Sequence, residues 1–425
     1  MEDLRKKAKE FRNNKKYDLS IDLYQQIFKP NSDKWIAWEY ADSLKRTLQI
    51  DEAIIISKNT YLNDPNFKFN NDLLAWLLFE KYFKNIKEKY TLYETQHLYE
   101  ICQFIIKIVP QTDTSPLTKT IIKTSKILIR QRLYEQVISI IDFIDLDLLS
   151  DEPKIYEDSN KKQKQYQSEK EAIYIYKSKA LLRLNKLEEC ISCCNDALNF
   201  VNTFHHDNDI WLQVRIAKCF SKLGNIDDSF SRLHELSIKH NHWYIYYEIA
   251  KIYLLKEDFT TALHYMYRAA VSLDPPKVKV TLYFDIANIL EKIGDTYNSN
   301  LHAQFVVNTR LEEDWNIPDK LRKLVNKIDG PEINGPIKLH YLNNFWISKI
   351  HEFTGTHNGV VSKIHPNGKF GFVQSDKGSY FFKTSSFFEK RKVSTGDRIR
   401  FCIIDSYDRA KDRFTKEAAY ITIDT

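Results

Sequence analysis

The chain has 425 residues, 43% of them hydrophobic and 28% charged, with 25 Tyr and 25 Phe, so wholesale disorder is excluded and the length suits two or three domains. No stretch approaches the roughly 18 apolar residues that cross a bilayer, and the start, MEDLRKKAKEF, is charged with no hydrophobic run behind it, so neither a membrane span nor a secretory leader is expected. The formal charge is +6, and the six cysteines, at 102, 190, 193, 194, 219 and 402, do not space as a disulfide framework, which places the expected setting in a reducing cytoplasm.

From the N-terminus the sequence reads as paired helices. Ala8, Phe11, Tyr17, Ser20, Tyr24 and Pro30 fit one unit, and Ala41, Leu44, Ile50, Ala53 and Pro65 fit the next. Between about 70 and 150 the segments LLAWLLFEKYF, LYEICQFIIKIV, TIIKTSKILI and YEQVISIIDFI remain helical but lose the spacing; three to four divergent hairpins are expected there. Residues 1–152 form this N-terminal set. Residues 153–170 lack apolar periodicity and read as a polar loop or a frayed helix end.

Over 171–329 the repetition is clearer. NKLEECISCCNDAL, GNIDDSFSRLHEL, EDFTTALHYMYRAA and GDTYNSNLHAQFVV align on Leu187, Ile226, Phe259 and Thr296, at steps of 39, 33 and 37 residues. Each second helix carries a small residue (Cys190, Ser229, Ala262, Ser299) that lets the first helix approach. The first helices supply small-then-large pairs: Ser178 and Leu181, Ala217 and Phe220, Ala250 and Tyr253, Ala287 and Leu290. Neither helix can bury its apolar stripe alone, so neighbouring hairpins must stack. Cys190, Cys193 and Cys194 are read as helix-packing residues rather than half of a metal site, since no second pair of ligands completes one.

The pattern of Ala250, Tyr253, Phe259, Ala262, Ala269 and Asp274-Pro275 resembles the tetratricopeptide repeat. The resemblance implies a concave surface that holds a protein or peptide partner, with contacts to RNA in some members. Inner-helix candidates for that surface are Arg215, Lys218, Lys222, Tyr246, Lys251, Tyr283 and Asn288. A spacer or dimerisation surface is the alternative.

Eight of the ten glycines lie from Gly330 onward, and Asp329-Gly330-Pro331-Glu332-Ile333-Asn334-Gly335-Pro336 is a cluster of turn formers, so the fold changes near 330. Residues 330–354 serve as linker and docking segment, with Leu339, Leu342, Phe345, Trp346 and Ile350 at helical spacing to seat the C-terminal domain on the last hairpin. From 355 to 425 there are 13 Lys/Arg against 8 Asp/Glu, so five of the six net positive charges sit in this short tail and can attract an anionic partner.

In that tail the period switches to two. Strands at 359–364, 369–373, 380–383, 398–405 and 418–423, separated by turns such as His365-Pro366-Asn367-Gly368, predict a five-stranded antiparallel β-barrel. The fold class is therefore multidomain α plus β: an α-solenoid of helical hairpins with a C-terminal five-stranded barrel. Phe370 and Phe372 alternate on one strand and share a face, with Gly371 removing bulk between them, and Phe381 can join from the adjacent strand. Val361, Val373 and Phe382 then fall on the inward face.

The segment GVVSKIHPNGKFGFVQSDKGSYFFKTSSF (359–387) resembles the nucleic-acid-binding half of the cold-shock domain, through Lys369-Phe370-Gly371-Phe372-Val373 and Tyr380-Phe381-Phe382-Lys383. The resemblance implies an oligonucleotide-binding barrel and single-stranded RNA or DNA as ligand. Rings beside lysines suit it: unpaired bases stack for about 1–3 kcal/mol each, and cations track the phosphates. Phe370, Phe372 and Phe381 are the stacking candidates, and Lys363, Lys369 and Lys383 the phosphate contacts. Lys363 and Ile364 stand where the family offers Trp and Phe, and Phe382-Lys383-Thr384 where it has Val-His-Phe, so weaker base discrimination and steeper salt dependence are expected. If the three rings filled a barrel core instead, that reading would fall.

No Gly-rich phosphate loop, nucleophile elbow or HExxH helix occurs. His205-His206-Asp207-Asn208-Asp209 and His240-Asn241-His242 read as solvated inter-repeat turns. No catalytic residue, metal or cofactor is expected. The resulting expectation is a single-stranded nucleic-acid binding adaptor, RNA before DNA, whose helical repeats engage a protein. Its rivals are a protein-interaction scaffold whose barrel contacts protein, and an RNA-processing enzyme with a cryptic site in 70–150.

Overall fold

The computed structural model describes residues 2–29, 32–157, 162–326, 337–387 and 393–423, so Pro30 and the turn cluster at 329–336 lie outside the described residues. The chain divides into two compact units, Met1–Cys219 and Phe220–Thr425. The first holds α1 (Glu2–Asn13), α2 (Tyr17–Ile27), α3 (Lys34–Arg46), α4 (Ile50–Asn63), α5 (Lys68–Tyr82), α6 (Leu92–Ile108), α7 (Leu117–Arg130), α8 (Tyr134–Ile141), the strands β1 (Lys154–Glu157) and β2 (Gln163–Tyr166), then α9 (Glu169–Arg183), α10 (Leu187–Phe200) and most of α11 (Asn208–Lys222). The second holds α12 (Ile226–Lys239), α13 (Trp243–Leu255), α14 (Phe259–Ala270), α15 (Val280–Lys292), α16 (Thr296–Glu312), α17 (Asp319–Asn326), α18 (Leu339–Thr354) and the strands β3 to β7.

The hairpins are built by one repeated device. Lys15, Leu48, Arg132, Asn185, Gly224, Glu257 and Gly294 have φ between 56° and 87°, and each stands two residues before the next helix. A left-handed residue ends the first helix and aims the chain back along it. Only two of the seven are glycine, which is why glycine content alone does not reveal the turns. Leu187, Ile226, Phe259 and Thr296 are each the first residue of their helix, and Cys190, Ser229, Ala262 and Ser299 are fully buried, as the repeat alignment expects. In three hairpins the small residue also bonds the carbonyl of the residue twelve positions earlier: Ser20 Oγ donates to Ala8 O at 3.0 Å, Cys190 Sγ to Ser178 O at 3.3 Å, and Ser299 Oγ to Ala287 O at 2.8 Å. Close approach thereby becomes polar satisfaction as well as packing.

Three local expectations are corrected. Residues 70–150 form four helices, α5 to α8, hence two helix pairs and not three to four hairpins, because α5 and α6 run 15 and 17 residues and use up the chain. Residues 153–170 are not simply a loop: β1 and β2 pair antiparallel, and the rings of Tyr156 and Tyr166 stack 4.0 Å apart. That stack orders a segment with no apolar period to betray it. The turn at 205–209 is not merely solvated. The fully buried Glu171 carboxylate accepts the His205 backbone N–H at 2.8 Å and the Asn208 amide at 2.7 Å, and lies 2.8 Å from His205 Nδ1. All six cysteines are free and buried. No helix among the described residues is long and apolar enough to cross a membrane.

In the second unit α18 docks as its spacing expects. Leu342, Trp346 and Ile350 are buried, and the Trp346 ring stacks on Tyr283 at 5.4 Å, within 3° of parallel. Its Nε1 donates to His302 Nε2 at 2.7 Å, which leaves His302 Nδ1 to donate to Asn298 O at 2.7 Å. A charged imidazole could not accept from Trp346, so this contact requires neutral His302.

The barrel consists of β3 (His357–Ile364), β4 (Phe370–Ser375), β5 (Gly378–Lys383), β6 (Arg398–Asp408) and β7 (Arg413–Ile423), closed in the order β3-β4-β5-β7-β6. The five strands match the expected count, but β5 and β7 pair in parallel, so the barrel is mixed and not wholly antiparallel. Closure forces this, since β6 must return beside β3 and leaves β7 to meet β5. Val361, Val373, Phe382, Ile399, Phe401 and Ile421 fill the interior. Near the end of β7 the register with β6 shifts and Tyr420 takes φ 54°, a left-handed conformation rare for a bulky residue. Its hydroxyl accepts from Arg268 Nε of α14 at 3.0 Å, and its carbonyl accepts from His351 Nε2 of α18 at 2.7 Å. The barrel is thus bonded to helices of its own unit.

Leu48→Gly, which removes a Cβ from a left-handed turn position, is expected to raise stability in urea unfolding by about 0.5–1 kcal/mol. Burial lowers the pKa of His302 to about 4, and burial with the nearby Arg268 charge lowers that of His264 to about 3. Both are neutral when folded, whereas unfolded imidazoles take up protons near 6.5, so the unfolded state binds more protons below that pH. Stability of the second unit is expected to fall as pH drops from 6.5 towards 4. His302→Gln, which keeps an acceptor for Trp346, is expected to reduce that slope in denaturation measured at pH 7 and pH 5.

Candidate nucleic-acid interface

The β4–β5 pair sets the site by its alternation. Val373 and Phe382 are fully buried inside the barrel, so their neighbours Phe372 and Phe381 point out. Phe372 is 39% exposed, while Phe370 and Phe381 are half-buried against one another. The rings of Phe370 and Phe381 are 5.5 Å apart, and those of Phe372 and Phe381 are 6.0 Å apart. In register, Lys363, Phe372 and Phe381 form one row across β3, β4 and β5, which Glu417 of β7 continues. Phe370 lies opposite Lys383 in the next outward row. The three aromatic candidates and two of the three lysines therefore share one face. Lys369, exposed, immediately precedes Phe370.

Gly371 works differently from the expectation that it clears space between the outward rings. A Cβ there would lie 2.5 Å from the Lys363 carbonyl oxygen and 2.6 Å from Phe382 Cζ. The missing side chain makes room inward, for the backbone of β3 and the buried ring beneath, and so lets the barrel close tightly under the outward rings.

Two residues of this face escaped sequence reasoning. His365 stacks on Phe370 at 4.3 Å, within 24° of parallel, held by its backbone N–H bond to Phe370 O at 2.9 Å. The signal was present: in a turn as short as His-Pro-Asn-Gly the first side chain must lie beside the next strand. The second is Glu417, whose Oε2 lies 3.5 Å from Lys383 Nζ. Lys383 is accordingly shared with a carboxylate and is not a free phosphate cation, while no such partner is seen for Lys363 or Lys369 among the described residues.

The helical candidates divide. Tyr283 is fully buried under Trp346, and Tyr246 is buried with its hydroxyl donating to Ser237 O at 3.2 Å and Arg268 4.4 Å over its ring, so neither can touch a partner. Both lie on the stripe that stacks hairpins, which sequence spacing did not separate from the outer face. Arg215 donates to Ser178 Oγ at 3.0 Å, with its pKa lowered by burial, and ties α11 to α9. Lys218 is half-buried and Lys222 exposed. Lys251 lies 4.0 Å over the Tyr247 ring and pairs with Glu248 at 3.0 Å, and Asn288 is exposed and donates to Phe284 O at 2.8 Å.

A family described as "Domain of unknown function (DUF7017)" matches residues 210–329. No curated protein matches the chain. Among solved structures, the chain is similar to a tetratricopeptide repeat protein from Parabacteroides merdae, with 12% identity over 66% of this chain and 96% of that one, at a TM-score of 0.29. It is also similar to a chain of the APC/C hetero-tetramer Cut9-Hcn1, with 11% identity over 79% of this chain and 56% of that one at a TM-score of 0.37. A third is the human IFIT1 dimer with m7Gppp-AAAA, with 12% identity over 76% of this chain and 68% of that one at a TM-score of 0.36.

Gly371→Ala is expected to destabilise the barrel by about 1–3 kcal/mol through the clash with the β3 backbone. Thermal unfolding of the full chain would show this as a lowered transition of the second unit.

Proposed function

We propose that the chain is a non-enzymatic, two-part binding protein: a helical-repeat scaffold that engages a protein partner, carrying a barrel that holds single-stranded nucleic acid, RNA before DNA. The observation that carries the second half is the inward burial of Val361, Val373 and Phe382, which leaves Phe370, Phe372 and Phe381 on the outer face with His365 stacked beside them. A five-stranded barrel with aromatic residues on its second and third strands is the arrangement by which oligonucleotide-binding folds hold unpaired bases. Duplexes hide those base faces and are not suited to it. Lys363 and Lys369 stand at the border of the rings, where a phosphodiester backbone would run.

For the scaffold, stacked hairpins present long solvent-facing helix surfaces, and one patch is markedly aromatic. Trp35 and Phe69 are 36% and 56% exposed, and pack on Trp38 and Phe67 with ring separations of 4.8–6.1 Å. Exposed Trp and Phe clusters of this kind are favoured at protein interfaces. A second reading, a pure protein scaffold whose barrel also contacts protein, is favoured by the Lys383–Glu417 pair, which removes one cation from the aromatic face.

Titration of fluorescently labelled single-stranded RNA and DNA into the full chain separates the readings. Phe370→Ala/Phe372→Ala is expected to weaken binding by at least 10-fold, in line with about 1–3 kcal/mol per lost stack. Raising salt is expected to weaken wild-type binding, with a slope shallower than the sequence alone suggests, because Glu417 pairs with Lys383 and leaves Lys363 and Lys369 as the phosphate contacts. Negligible binding by wild type and variant alike would favour the protein-only scaffold.

A further inference from the structure

Beside the aromatic face the barrel and the helices of its unit enclose a groove of about 240 Å³, room for one nucleoside. Its walls come from the loop before α13 (Asn241), the end of α14 and the turn after it (Arg268, Asp274), the turn after β5 (Ser385, Ser386) and β7 (Glu417). Lys383 and Glu417 belong to both surfaces: each lines the groove, and each stands in register with a phenylalanine of the platform. A strand that crosses Phe372 and Phe381 towards β7 would bring its next nucleotide to the groove.

Three observations fix the ligand chemistry. The groove is lined by two cations, Arg268 and Lys383, and two carboxylates, Asp274 and Glu417, so it carries no net charge and is unsuited to trap a phosphate. Asn241, Asp274 and Ser385 are solvent-exposed, and neither their side chains nor those of Ser386 and Glu417 Oε1 hydrogen-bond another described residue, so these donors and acceptors are open to a ligand. The walls are also braced: Arg268 donates to Tyr420 at 3.0 Å and to Tyr246 at 3.3 Å, and Lys279 Nζ caps the end of α14 through Ala270 O at 2.8 Å and Ser272 O at 2.7 Å. Such a site needs little reorganisation on binding.

We propose that this groove receives the nucleoside next to the stacked bases and that Glu417 and Asp274 accept its ribose hydroxyls, making the 2′-hydroxyl the feature that selects RNA over DNA. Carboxylates accept and do not donate, and the 2′-hydroxyl is the neutral donor that every RNA nucleotide offers whatever its base and that DNA lacks. The inference rests on the platform reading, and the test tells their failures apart.

The probe is a labelled oligouridylate of about ten nucleotides, its all-deoxy counterpart, and a set carrying one 2′-deoxy residue at each position, all titrated against the full chain. Wild type is expected to lose roughly 10-fold in affinity at one deoxy position and to be insensitive at the others. Asp274→Ala is expected to abolish that sensitivity while keeping DNA affinity, which also shows the variant to be folded, whereas Glu417→Ala is expected to abolish it while raising affinity for RNA and DNA alike, because Lys383 is released from its pair. Equal affinity for RNA, DNA and every deoxy probe overturns the groove and leaves the platform standing. A loss in Asp274→Ala that is equal for RNA and DNA overturns the hydroxyl assignment. No binding of any probe by wild type overturns both.

Discussion

A strand in a closed barrel has two faces and no third, and in β4 and β5 the inner one is already taken. Val373 and Phe382 occupy it, with Gly371 giving up its side chain so that the β3 carbonyl and the buried ring can come close. The outward placement of Phe370, Phe372 and Phe381 is then a matter of parity and not of affinity for solvent. Three half-exposed phenyl rings are costly for a soluble surface and are tolerated because moving any of them inward by one residue would expel the core. The functional reading of the barrel descends from that single constraint.

The helical part obeys a different rule. There, among the described residues, a left-handed residue stands two positions before a helix at seven hairpin turns, and five of these are occupied by Lys, Leu, Arg, Asn and Glu at a conformational cost that the packed helices override. Small residues at the crossing let the helices meet, and where they are Ser or Cys they can bond the facing carbonyl. The geometry repeats while the sequence does not, because a backbone turn and a small side chain are all that each crossing demands.

Much of the architecture is legible in the sequence. The repeat register from Leu187 to Thr296, the docking stripe of α18, the five strands and the inward trio are all readable, because each rests on a period that burial enforces. The features that are not readable depend on contacts between distant segments. Tyr246 and Tyr283 pass for surface residues until the helices that cover them are in place. Glu171 gathers three polar groups from 34 to 37 residues away, and Glu417 meets Lys383 only through the parallel pairing of β5 and β7. The hairpin at 154–166 depends on one tyrosine stack, too slight a pattern to register against its polar surroundings.

The left-handed Tyr420 has an implication for how portable the barrel is. Its conformation costs on the order of 1–3 kcal/mol and is held by Arg268 and His351, which belong to helices outside the barrel. Grafted onto a foreign host without those helices, β7 would be free to straighten into regular pairing, and a one-residue slip would swing Ile421 and Ile423 away from the interior. This small barrel, self-contained as its strand count makes it look, is shaped in part by the company it keeps.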